Sequence, residues 1–253
     1  MNIKKQIPNL FTLGNLLCGT IAVIAAVNAD FELTALLVVL GIVFDFFDGF
    51  LARMLHVTGE LGKQLDSLAD MVTSGVVPGI VMLSMIEINY ISQSEVIDFN
   101  NKVYAETIFD TGYIKFLGLL LTLAACYRLA NFNIDTRQSD SFIGLPTPAM
   151  SLFVIALPLI PMYTENQFFI DQVQNNYFLI GAALLLSYLM NAEIQLFSLK
   201  FKSFGVQENG LKYVFLLTSL VLLLVLHVIA IPLVIILYVL LSVGSNLSKK
   251  KAV

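Results

Sequence analysis

Four aspartates fall between residues 45 and 70, in or beside long apolar runs, two in Asp45-Phe46-Phe47-Asp48 and two in Asp66-Ser67-Leu68-Ala69-Asp70. Spacings of three and four put each pair on one face of a helix. An aspartate at the centre of a membrane span costs about 2.5–3.5 kcal/mol. Four such groups therefore total about 10–14 kcal/mol as an upper bound, before their mutual repulsion. Cations near them in sequence are few: Arg53, Lys63 and, at a distance, Arg128. A divalent metal is the natural compensation. All-carboxylate ligation selects a hard ion, Mg²⁺ or Mn²⁺, and two ions bridged by such ligands suit phosphoryl chemistry. A proton relay or ion path is the other chemistry open to intramembrane acids. Gly49 and Ala52 keep the face small, so a ligand can approach the backbone. Arg53 either holds phosphate oxygens or anchors the helix end at the interface.

The elements that position these groups are membrane helices. Of 253 residues, 58% are hydrophobic and only 13% charged, against about 25% charged in an average soluble domain. Mean hydropathy is +0.85. A soluble core of this length could not hide so much apolar surface. The fold class expected is an all-α polytopic membrane protein with eight transmembrane helices near 8–28, 33–54, 63–86, 113–134, 146–163, 176–193, 211–227 and 229–247. The basic start Met1 to Lys5 leads into an apolar run without a small-residue cleavage site, so it reads as an uncleaved first span. The last two spans are divided near His227 and Pro232, because proline breaks or bends a helix; one long bent helix is the alternative. This layout puts 12 of the 14 lysines and arginines on one side, with only Lys102 and Lys115 opposite. The positive-inside rule makes the basic side cytoplasmic, with both termini and the aspartates facing it. The acidic side includes a long loop, 88–112, with room for a short amphipathic segment. Lys249–Lys251 reads as an anchor at anionic headgroups. Cys18 and Cys126 lie in apolar segments and form neither a disulfide framework nor a zinc site.

Depth brings the two pairs together. A helix rises about 1.5 Å per residue, which puts Asp45 about 12 Å and Asp48 about 7.5 Å below Arg53. Measured from Lys63, Asp66 lies about 4.5 Å and Asp70 about 10.5 Å in. The short 54–62 turn makes the two helices antiparallel neighbours, so all four carboxylates can meet in one pocket open to the cytoplasm.

These residues spell D-x2-D-G-x2-A-R-x8-G-x3-D-x3-D, with Asp45, Asp48, Gly49, Ala52, Arg53, Gly62, Asp66 and Asp70 filling every specified position. The pattern resembles that of the CDP-alcohol phosphotransferases. The resemblance implies a six-helix catalytic core, here 5–195 of a single membrane domain 1–253, followed by C-terminal helices and a basic tail over 196–253. It implies a homodimer and a two-metal site that binds the CDP pyrophosphate, with Asp45, Asp48 and Asp66 as ligands and Asp70 as ligand and general base. Gly49, Ala52, Arg53 and Gly62 would line the nucleotide and phosphate site.

Further segments resemble one branch, the CDP-diacylglycerol–serine O-phosphatidyltransferases. Asn9, Thr12, Asn15 and Gly19 match its N-x2-T-x2-N-x3-G start, and Phe142 to Ala149 its F-x-G-L-P-x-P-A loop. Arg128-Leu129-Ala130-Asn131-Phe132-Asn133 is similar to its R-L-A-R-F-N segment but carries Asn131 where arginine is usual. Asn9, Thr12 and Asn15 make one polar helix face. Either they bond neighbouring helices or, as the resemblance implies for Asn9 and Thr12, they contact the cytidine nucleotide. The activity implied is transfer of the phosphatidyl group from CDP-diacylglycerol to L-serine, giving phosphatidylserine and CMP, with no nucleic acid partner. Arg128 and Arg137 either pair with the serine carboxylate or act as interface anchors. Glycerol 3-phosphate, choline or an inositol phosphate is the alternative acceptor, although a phosphorylated acceptor favours more cations than this chain has. An ion-coupled transporter is the rival of another class; its expected inverted repeats and broken midplane helices are not detected in the sequence.

Overall fold

The computed structural model describes residues 3–94, 113–135, 142–197 and 205–251. Arg137 and the expected amphipathic segment of the 88–112 loop beyond Ser94 fall outside them. Helix α1 spans Ile3–Val27 and α2 Phe31–Met54. Asp30 caps α2, its side chain accepting from the Leu33 amide at 3.1 Å and satisfying one free donor of the first turn. Helix α3 is a continuous rod built from Glu60–Asp70, a π-helical turn Met71–Val76 and Val77–Ser94. Helix α4 enters through a 3₁₀ stretch Ile114–Leu119 and continues as Leu120–Ile134. Then follow α5 (Thr147–Tyr163), α6 (Gln167–Val173), α7 (Asn176–Asn191), α8 (Val206–Leu226) and α9 (Ala230–Lys251).

Gln6–Val27, Phe31–Met54, Glu60–Ile91, Ile114–Ile134 and Asn209–Leu247 are long and apolar enough to cross a bilayer, and α6 with α7, bent by 70°, makes a sixth. The run Asn209–Leu247 is not one crossing. Its 39 residues would extend about 58 Å, roughly twice the hydrocarbon thickness. The rings of Phe215 and Tyr238 stand 5.5 Å apart, so the chain folds back on itself. The reversal sits at His227 (φ 49). Pro232 is inside the first turn of α9, where a missing amide is tolerated. The hairpin legs, α5 and α7 complete eight apolar helices among the described residues, one for each predicted span. The protein is a multi-pass integral membrane protein. Its outward surface carries large apolar side chains such as Leu10, Leu17, Phe46, Leu123 and Leu224, as lipid contact requires.

Close helix approach depends on small residues. A Cβ on Gly41 of α2 would lie 2.7 Å from Thr73 Cγ2 and 2.8 Å from Asn15 Oδ1, so α1, α2 and the π turn of α3 converge at that glycine. The core continues through Ala22, Val38, Val77, Met82, Leu121, Ala125, Met150 and Val154, all essentially inaccessible. At the end remote from the aspartates, Tyr163 donates to Glu32 at 2.6 Å and Lys115 pairs with Glu87.

Two short strands were not expected. β1 (Phe142–Ile143) and β2 (Gln195–Leu196) pair antiparallel, Phe142 with Leu196 and Ile143 with Gln195. They join the segment before α5 to the segment after α7, at the aspartate end of the bundle. At two residues each, neither carries a period that sequence could reveal.

Candidate functional site

The helix ends dictate where the carboxylates meet. The last turns of α2 carry Asp45 and Asp48, and the first turns of α3 carry Asp66 and Asp70. Between them a short connection turns through His56 at φ 53 and Gly59, the α3 N-cap residue. Carboxylate oxygens of Asp45, Asp48 and Asp66 all lie within 4.8 Å of one another. Asp70, one helical turn beyond Asp66 on α3, is outside that trio. No lysine or arginine forms an ion pair with any of the four among the described residues.

Three mutually repelling carboxylates at one point, with oxygen the only donor atom and no protein cation beside them, fit a hard divalent ion. The trio would hold it, and the ion would supply the missing positive charge.

Helix α1 orients the acids. Thr12, 3% exposed, donates from Oγ1 to Asp48 Oδ2 at 2.6 Å. The same hydroxyl is 3.2 Å from the Pro8 carbonyl; its single proton goes to the shorter, charged acceptor. Asn15, fully buried, donates from Nδ2 to Asp70 Oδ1 at 3.2 Å. Its backbone carbonyl accepts from Thr73 Oγ1 at 3.1 Å, which ties it to the π turn. Sequence places Asn15 only on the polar face of α1. Its bond to Asp70 spans 55 positions and leaves no local mark.

Outer-shell partners of this kind typically matter 10–100-fold for metal affinity or activity. Thr12→Val and Asn15→Leu should each lower turnover by about that factor. Thr12→Ser should recover most of it, because the hydroxyl is kept; assays of the purified variants decide this, and unchanged rates would remove α1 from the site.

The other sequence-predicted residues divide into two groups. Asn9 and Gly62 are neighbours: a Cβ on Gly62 would lie 3.7 Å from Asn9 Oδ1. Gly49 has open space, with only Arg53 Nη2, at 3.8 Å, near its missing Cβ. Ala52 is half-buried and Arg53 exposed one turn beyond the trio. The structure thus brings Asn9, Thr12, Gly49, Ala52, Arg53 and Gly62 to the same helix ends as the acids. Arg128 is placed otherwise. It is 7% exposed, and its Nη1 donates to the carbonyls of Ile143 at 3.0 Å and Met190 at 3.1 Å. That nitrogen holds β1 to the end of α7. Asn131 is exposed. Nearby, Lys63 donates to the Asn133 carbonyl at 2.5 Å and Asn133 to Ser67 Oγ at 2.8 Å, locking the start of α3 to the end of α4.

Residues 5–243 match the CDP-alcohol phosphatidyltransferase family. The chain belongs to that family. It is therefore a membrane-embedded transferase of phospholipid biosynthesis, acting on a CDP-linked lipid and an alcohol, rather than an ion-coupled transporter. Among its relatives, the CDP-diacylglycerol–serine O-phosphatidyltransferase of Bacillus subtilis is 31% identical over 157 residues, 60% of this chain and 75% of that protein. The enzyme of the same name from Helicobacter pylori J99 is 29% identical over 191 residues, 74% of this chain and 70% of that one. An archaetidylserine synthase of Methanothermobacter thermautotrophicus is 28% identical over 176 residues, 65% of each.

Proposed function

We propose that this family member transfers the phosphatidyl group of CDP-diacylglycerol to the hydroxyl of L-serine, releasing CMP and phosphatidylserine. The observation that carries the chemistry is the Asp45–Asp48–Asp66 trio with Asp70 beside it, held by Asn15. Mg²⁺ or Mn²⁺, two ions by this reading, would offset the pyrophosphate charge on the trio. Asn9, Thr12, Gly49, Ala52, Arg53 and Gly62 line the donor's side; the open backbone at Gly49 admits phosphate and Arg53 supplies a fork of donors. Asp70 accepts the proton of the serine hydroxyl as its oxygen bonds to the lipid-linked phosphorus. The bond from that phosphorus to CMP breaks, and CMP leaves with the electron pair.

The donor takes the α1–α2–α3 corner, which leaves the acceptor the other side of α3, towards α4 and the 142–149 segment. Support for serine comes from the printed activities of the relatives and from the Phe142–Ala149 resemblance. The small number of cations near the four aspartates also favours a zwitterion over a phosphorylated alcohol. Arg128 and Arg137 are the candidates for the serine carboxylate, Arg128 through nitrogens other than Nη1. The same reading sets the site and both termini on the cytoplasmic side, where 12 of 14 cations fall, in a homodimer.

The test is one assay of purified protein with CDP-diacylglycerol and a panel of L-serine, glycerol 3-phosphate, choline and inositol phosphate, with product lipids identified by mass. Phosphatidylserine and stoichiometric CMP are expected. A different product lipid would reassign the acceptor, and no lipid product at all would remove the activity.

A further inference from the structure

The C-terminal hairpin grips the short sheet at the aspartate end. Tyr238 of α9 donates its phenolic proton to the Phe197 carbonyl at 2.8 Å. Asn246, two turns on, donates to the Gln195 carbonyl at 2.7 Å. The rings of Phe197, Phe215 and Tyr238 pack together, with centroids 4.9–5.7 Å apart. Both hydrogen bonds land on the backbone of β2 and the residue after it.

β2, the residue before it and the end of α7 together hold the segment before α5. Beyond the β1–β2 pairing, the Gly144 amide donates to Ile194 O and the Leu145 amide to Leu189 O, each at 2.9 Å. Gly144 has φ +74, a conformation that disfavours any side chain, and its missing Cβ faces the Met190 carbonyl. Arg128 closes the arrangement by bonding the carbonyls of Ile143 and Met190. Helix α5 starts at Thr147, buried, and packs along the π turn that follows Asp70. An unbroken series of backbone bonds and packed helix ends thus runs from α9 to the side of α3 left for the acceptor.

We propose that Tyr238 and Asn246 are positioning residues, which set the acceptor side of the cleft by clamping β2, and through it residues 142–149, without touching the reacting groups. This rests on the proposed function, in which that side receives the alcohol. The donor's corner, built from α1, α2 and the start of α3, makes no contact with the clamp among the hydrogen bonds described. The two substrates should therefore respond differently when the clamp is released.

The experiment compares the full-length protein with Tyr238→Phe, Asn246→Ala and the double variant, measuring KM for CDP-diacylglycerol, KM for the alcohol that the unaltered protein uses, and kcat. Tyr238→Phe keeps the ring in its aromatic cluster and removes only the donated proton. In the double variant the acceptor KM should rise about tenfold, with the donor KM within about twofold. Amide exchange at Gly144 and Leu145 should quicken in the same variant, a readout independent of turnover. An acceptor KM within twofold of the unaltered protein overturns the proposal. So does a donor KM that rises in step with it, the sign of general loss of the site. Unchanged exchange at Gly144 and Leu145 overturns the clamp whatever the activity. A protein that makes no lipid with any alcohol, yet shows the quickened exchange, fails the functional reading and keeps the clamp.

Discussion

Asp70→Asn should yield a folded protein whose CMP release is slower by about 10²–10⁴-fold, the usual loss when a positioned base is removed. The substitution is nearly isosteric. An asparagine carbonyl at this position can still accept from the Asn15 amide, whose Nδ2 is 3.2 Å from Oδ1, so the link between α1 and α3 is kept. The capacity to take a proton is lost, and with it the negative charge. Asp70 lies outside the trio whose oxygens converge within 4.8 Å, and the variant tests whether it serves as base, as ligand or as both. If Asp70 is the base alone, the variant keeps the thermal shift caused by Mg²⁺ or Mn²⁺ while turnover collapses. If it is also a ligand, both fall. Turnover within threefold of the unaltered protein would remove Asp70 from the proton transfer.

The part of this site readable in sequence is the part that violates a rule. Aspartates in membrane spans are costly, so Asp45, Asp48, Asp66 and Asp70 stand out, and helical spacing alone puts each pair on one face. The groups that support them violate nothing. Thr12 and Asn15 look like ordinary polar residues of a packed membrane helix, and only tertiary contact shows that each donates to a carboxylate. Arg128 is the reverse case. A charge beside an apolar span invites an interface or ligand role, yet its Nη1 is committed to two backbone carbonyls. The helices follow from hydropathy almost throughout. Two of their irregularities do not: the π turn at Met71–Val76 and the 70° bend between α6 and α7 are set by packing, and no periodicity announces them. The division of the last 39-residue apolar run was expected from its length and from Pro232. It falls at His227, where the sequence placed it, and the ring contact of Phe215 with Tyr238 shows the two legs folded back on each other.

Removing the metal should have the other large effect, and its sign differs between activity and stability. With excess chelator, CMP release should fall below detection, and Mg²⁺ or Mn²⁺ should restore it. A ligand present at 100 times its Kd stabilises the folded state by about 2.7 kcal/mol, so the metal should raise the melting temperature by several degrees. Asp45→Asn reverses part of this. Without metal, the trio sets three like charges together with no protein cation in contact, and neutralising one relieves repulsion and desolvation together. The metal-free variant should therefore melt higher than the metal-free unaltered protein. It should also lose most of the metal-induced shift and most of its activity, because the same charge that destabilises the empty cluster draws the cation in. A polar residue kept for folding would show the opposite: lower stability on substitution, in metal or without it. Calorimetry of both proteins in chelator and in Mg²⁺ separates the cases. A melting temperature indifferent to metal, or a variant that turns over normally, would show that Asp45, Asp48 and Asp66 converge for some purpose other than holding an ion.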